Sequence, residues 1–239
     1  MADKTAPSLR ARVRAEMTEE IKRVALEHLA ADGSALSLRA VARDMGMVSS
    51  ALYRYFPSRD DLLTALIIDA YDSLGLAAEE ADAAYPDRAD FAARWLAVGR
   101  AVRAWAVAKP HEYALIYGSP IPGYSAPADT VVPANRPVVV LARIVAEAQA
   151  TGAVGPGTPG PDADALPELL ADLSQISAFL DLAPDSASTA RFLTAMTELF
   201  GAISFEIFGR LNNVFTDRTG WYDWQLRSMT AYLGLGHTA

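Results

Sequence analysis

The sequence predicts an all-α protein. Apolar residues recur every three or four positions through most of its 239 residues, the pattern of helices that bury one face. No stretch alternates apolar and polar as a half-buried strand does. Helix punctuation recurs as well, with a serine or an acid before many periodic stretches and a glycine or proline after them.

Residues 9–31 place Val13, Met17, Ile21, Val24, Ala25, His28 and Leu29 on one face, and Gly33 stands where a C-terminal cap belongs. Ser37 is positioned to cap a short helix whose inner side is Leu38, Val41, Ala42 and Met45. Gly46 ends it, and a second short helix turns Leu52 and Phe56 inward. Ser58 to Asp61 forms a capping box, with Asp where Glu or Gln is usual, and opens a long helix over 59–84. Helix 89–109 carries Phe91, Trp95, Val98, Val102 and Trp105 at helical spacing. Pro110 suits the first position of a short helix, PHEYALIYG. Residues 118–133 hold four prolines and read as loop. Helices follow at 135–151, about 164–181, 187–212 and 221–233, the first two separated by the flexible TGAVGPGTPGPDA.

Composition narrows the function classes. There is no cysteine, so disulfides, thiol nucleophiles and Cys-ligated metals are out. The N-terminal stretch has no apolar leader, and no run approaches the roughly 18 apolar residues of a membrane helix. A cytoplasmic protein without a membrane partner is expected. His28, His111 and His237 show no metal-ligand spacing. GPGTPG at 155–160 fits G-x-G-x-x-G literally, but it follows no strand and its prolines lack the N–H groups that cradle phosphate. No catalytic constellation is present, so neither an enzyme nor a cofactor is expected.

Charge is unevenly spread. Residues 1–60 carry 10 Lys and Arg against 8 Asp and Glu, whereas the rest carries 11 against 21. A mildly basic head on an acidic body directs the head alone toward a polyanion.

Residues 37–56 have the dimensions of a helix-turn-helix, with Gly46 at a turn where positive φ is comfortable. Once Leu38, Val41, Met45, Leu52 and Phe56 face inward, Ser49, Ser50, Tyr53 and Arg54 remain outside. Short hydroxyls at a recognition helix's start reach base edges, and longer side chains reach phosphates. An ordinary helical hairpin with a polar face has the same pattern.

The stretch LSLRAVARDMGMVSSALYRYFPSRDDLL resembles the DNA-binding segment of TetR-family transcriptional repressors, and the likeness covers residues 13–72. It implies a three-helix DNA-binding domain over 1–60, helix 59–84 as connector, and a larger helical effector-binding and dimerisation domain over 61–239. It implies that Ser37, Arg39, Tyr53, Tyr55 and Arg59 hold phosphates or read nearby bases, and that Ser49, Ser50 and Ala51 form the base-reading turn beside Arg54. Val48 stands where a polar cap is frequent, leaving Ser49 as the expected cap, and Tyr55 stands where His is common. The partner is then double-stranded DNA carrying a palindromic operator, bound by a homodimer.

For the interface, residues 190–211 are apolar over more than one stripe. Phe200, Ile203, Ile207 and Phe208, with Trp224 from 221–233, are the expected contacts; a central helix of a monomer core reads similarly. The Trp helix and P-x-x-Y turn at Pro110–Tyr113 also resemble a tryptophan-containing TetR C-terminal subclass, although 190–201 has no Trp. Trp95, Trp105, His111, Tyr113, Tyr117, Phe192 and Met196 are candidate linings for a small hydrophobic or aromatic effector, and simple core packing is the more ordinary reading of any one of them. A dimeric DNA-binding regulator without a small-molecule ligand is the alternative.

Overall fold

The computed structural model describes residues 8–32, 36–155 and 167–236. Gly33, residues 156–160 of GPGTPG and His237 lie outside them. Among the described residues there are ten α-helices, one short 3-10 turn and no strand. No helix is long and apolar enough to cross a membrane. The chain divides into two compact units, residues 1–70 with 111–130, and residues 71–110 with 131–239.

In the first unit, α1 (Leu9–Asp32), α2 (Leu38–Asp44), α3 (Ser49–Leu52) and the start of α4 (Arg59–Ala84) share one core. Ile21, Val24 and Ala25 come from α1, Leu38, Val41 and Ala42 from α2, Leu52 from α3, and Leu62, Leu63 and Leu66 from α4. A boundary at residue 60 would divide this core, because α4 supplies three of its buried leucines. Ser58 caps α4 as the sequence pattern expects: its hydroxyl accepts the Asp61 N–H at 3.1 Å and donates to the Asp61 carboxylate at 2.7 Å. Later residues join the unit, including α6 (Pro110–Tyr117), and Leu115, Ile121 and Tyr124 pack on the same core. The Tyr124 and Thr64 hydroxyls meet at 3.0 Å.

The second unit is built around α5 (Phe91–Ala108), which packs on α7 (Val131–Ala150), α9 (Ser186–Ile207) and α10 (Arg218–Leu233). Its inward residues Phe91, Trp95, Val98, Val102 and Trp105 are all buried. Gly99 lets α10 approach: a Cβ there would lie 2.5 Å from Leu226, and the Tyr222 hydroxyl donates to the Gly99 carbonyl at 3.0 Å. Helix α8 (Pro167–Phe179) packs on α9. Two helix ends in this unit differ most from expectation. α7 begins at Val131 because Pro133 falls in its first turn, where a missing N–H costs nothing. α9 stops at Ile207 because Gly209 takes φ +74° and reverses the chain.

One charged cluster is buried in this unit. Arg94 and Asp82 are almost fully excluded from solvent. Arg94 Nε donates to Asp82 at 2.8 Å, and Arg94 Nη1 donates to Glu147 at 2.6 Å. Arg88 and Arg143 donate to the same Asp82 carboxylate, at 2.9 and 3.0 Å. Burial pushes the Asp82 carboxyl up, but hydrogen bonds from Arg94 and Arg88 outweigh it and hold the group at about 2, below its ordinary 3.8. Its contribution to stability is therefore complete above pH 3.8 and lost as the pH falls toward about 2. Acid titration of unfolding free energy should show a component in that window for the native chain. Asp82→Asn should be less stable at neutral pH and lack that component.

Candidate nucleic-acid interface

The helix-turn-helix is set by how α2 ends. Gly46 takes φ +66°, its N–H donates to the Arg43 carbonyl at 3.0 Å, and the Met47 N–H donates to Ala42 at 2.8 Å. This is the Schellman closure, which satisfies the last carbonyls of α2 and turns the chain sharply. Val48 follows in extended conformation, and α3 begins at Ser49. Ser49 was the expected cap, and here the structure corrects the reading. Val48 holds the cap position and makes no side-chain cap bond, because the turn ends one residue before the hydroxyl.

All nine expected DNA contacts fall in this first unit. Ser37 stands at the start of α2, yet its hydroxyl makes no capping bond. Arg39 on α2 and Ser50 on α3 are exposed, as are Tyr53 and Arg54 just beyond α3. Among the described residues, no hydrogen bond is made by the side chains of Ser37, Arg39, Ser49, Ser50, Tyr53 or Arg54. Each guanidinium there keeps five N–H donors and each hydroxyl one. Ser49 and Ala51 are half-buried against the head.

Two of the nine are partly spent on structure. Arg59 Nε donates to the Leu36 carbonyl at 3.2 Å, fastening the start of α4 to the residue before the N-cap of α2. Tyr55 is half-buried, and the Arg14 guanidinium lies 5.1 Å from its ring centre. His28 meets the Asp44 carboxylate at 2.8 Å and links α1 to the end of α2.

The seven expected effector residues divide between the units. Trp95, Trp105, Phe192 and Met196 are buried core of the second, where Trp95 and Phe192 meet edge-on with ring centres 6.3 Å apart. Tyr113 is buried and Tyr117 half-buried in the first unit, their rings 5.0 Å apart, while His111 is exposed. A cavity of about 630 Å³ opens elsewhere in the second unit. Val139, Ala146 and Ala150 of α7 line it with Leu180 and Leu182, and Arg143 and Glu147 reach its wall. None of the seven lines this cavity. Their spacing marked them apolar and aromatic, which serves a core as well as a pocket.

Of the expected dimer contacts, Ile203 is fully buried within its own chain, in the same stripe of α9 as Phe192, Ala195, Met196 and Leu199. It is therefore core and not surface. Phe200 and Ile207 are half-buried, Phe208 is 44% exposed and Trp224 60% exposed. Phe205 and Val214, which the sequence analysis did not name, are also exposed, at 58% and 64%. Trp224 stacks on Trp221, which stacks on Phe215, with centres 5.2 and 4.6 Å apart.

A helix-turn-helix carrying unspent donors, set in an all-α chain with a helical second unit, defines a DNA-binding transcriptional regulator. Comparison with known proteins agrees. Residues 21–66 match the model of bacterial regulatory proteins of the tetR family, and residues 95–229 match that of the tetracyclin repressor-like C-terminal domain. The chain belongs to the TetR family. It is 39% identical over 231 residues to the HTH-type transcriptional regulators Rv1816 of Mycobacterium tuberculosis and Mb1846 of Mycobacterium bovis, covering 94% of this chain and 93% of each relative. Among solved structures, SCO4313 is 34% identical with a TM-score of 0.74, over 93% of this chain and 98% of its own. A protein of Rhodococcus sp. RHA1 is 25% identical with a TM-score of 0.62, over 95% and 98%.

The turn makes one demand that can be measured. A Cβ on Gly46 would meet no atom within 4 Å, so only its backbone angle opposes a side chain. Gly46→Ala should cost about 1–2 kcal/mol of stability in urea melts, and Gly46→Asn less, since Asn tolerates the left-handed region.

Proposed function

We propose that the chain is a repressor that binds a palindromic operator as a homodimer and is released by a small hydrophobic or aromatic effector. One observation carries the DNA-binding part. Ser37, Arg39, Ser50, Tyr53 and Arg54 offer unpartnered donors around one helix-turn-helix, while residues 61–239 carry 11 basic against 21 acidic side chains. The N-terminal turn of α3 enters the major groove, where Ser49, Ser50 and Ala51 meet base edges. Ser37, Arg39, Tyr53, Arg54, Tyr55 and Arg59 take the phosphates on either side.

Two half-sites about 34–36 Å apart call for two heads. The exposed aromatic side chains of Phe205 on α9, Phe208 at its C-cap and Trp224 on α10 support a second copy as the partner. The effector reading rests on the cavity beside α7, whose volume of about 630 Å³ falls within the range that encloses small ligands. Such a ligand acts by binding one arrangement of the dimer better than another, with a coupling of about 1–3 kcal/mol.

Selection of bound sequences from random duplexes tests the reading, and a palindromic motif is the expected result. No enrichment from protein refolded free of small molecules would overturn it. Tyr53→Ala should weaken binding to operator and random duplex by the same factor. Ser50→Ala should alter sequence preference instead, by about 1–3 kcal/mol at one base pair. Phe208→Glu should yield monomers in sedimentation at concentrations where the native chain is dimeric.

A further inference from the structure

α1 begins well before it has anything to pack against. Every residue from Ser8 to Glu16 is exposed, and the first buried side chain is Ile21. This projecting stretch carries Arg10, Arg12 and Arg14, and no acid precedes Glu16 within it. Arg10 and Arg14, four residues apart, share one side of the helix and repel one another, and among the described residues no carboxylate pairs with any of the three. Among the described residues, the side chains of Arg10 and Arg12 make neither a hydrogen bond nor an ion pair. Arg23, Arg88, Arg94, Arg103 and Arg136 are each held by a carboxylate, whereas Arg10 and Arg12 share their unbonded state with Arg39 and Arg54 of the helix-turn-helix.

The base of the projection is fixed next to the recognition element. Arg14 Nη2 donates to the carbonyl of Arg54 at 3.0 Å, and its guanidinium lies over the Tyr55 ring. Those two residues follow directly on α3 and its C-cap, Tyr53. The free cations at Arg10 and Arg12 therefore extend, on a continuous helix, from a point pinned to the element that enters the groove.

We propose that the first turns of α1 form a DNA-contacting arm, in which Arg10 and Arg12 hold backbone phosphates flanking the groove occupied by α3. This rests on the reading of α2 and α3 as the DNA-docking element. The contacts are electrostatic and independent of sequence, so they add affinity without adding base preference.

The test is the salt dependence of binding by the full chain, measured on the selected operator and on random duplex. Each phosphate contact contributes about 0.9 to the slope of log K against log salt. The double variant Arg10→Gln, Arg12→Gln should bind both duplexes more weakly at low salt, with a slope shallower by about 2 for each bound head. Arg210→Gln, an exposed arginine of the second unit, should leave the slope unchanged. Both arm arginines are exposed and unbonded, so the double variant should fold as the native chain does, and circular dichroism checks this. An unchanged slope in the double variant, or an equal change with Arg210→Gln, overturns the arm while leaving the docking of α2 and α3 in place. Failure of the native chain to bind any duplex would overturn the docking reading itself.

Discussion

A helix of a single turn has no stability of its own, and α3 is four residues long. What holds it is Leu52, its one buried side chain, fully enclosed by residues of α1, α2 and α4. The position of everything the head displays at Ser50, Tyr53 and Arg54 descends from that contact. Phe56, buried just beyond, fixes the exit toward α4. The Schellman closure at Gly46 fixes the entry. The functional surface is therefore a short polar skin on a rigid apolar anchor, and its side chains remain available because the anchor needs none of them.

The second unit is held by a different device. Burying Arg94 and Asp82 costs desolvation, which their paired hydrogen bonds and those to Arg88, Arg143 and Glu147 offset. Apolar contacts tolerate sliding, whereas a forked guanidinium on a carboxylate is directional. The cluster thereby ties the end of α4, the start of α5 and the middle of α7 to one mutual register. α4 contributes its first half to one unit and its second half to the other.

Much of this was legible from local pattern. The inward faces of α1, α2 and α5, the left-handed Gly46 and the Ser58 cap follow from spacings of three or four residues. What local pattern left open has a common cause. Ile203 and Phe208 are equally apolar, and Trp95 looks as suited to a pocket as to a core. Composition along one helix does not say which side meets the chain's own interior. Ser49 was expected to cap α3 because hydroxyls commonly do, but the cap position was decided by where the turn after Gly46 ended.

The sequence by itself determined the helical class, the helix-turn-helix and the polar residues outside it, because periodicity, capping and turn chemistry act within a few residues. Tertiary structure decided the rest. It brought Leu115, Ile121 and Tyr124 onto a core built from residues 21 to 66, and it left the Ser37 hydroxyl unspent. It sent Ile203 inward while leaving Phe205 and Phe208 outside. It also pinned Arg14 to the residues after α3 while Arg10 and Arg12 stayed free. Each of these depends on partners far away along the chain, and only the packed fold determines which partners meet.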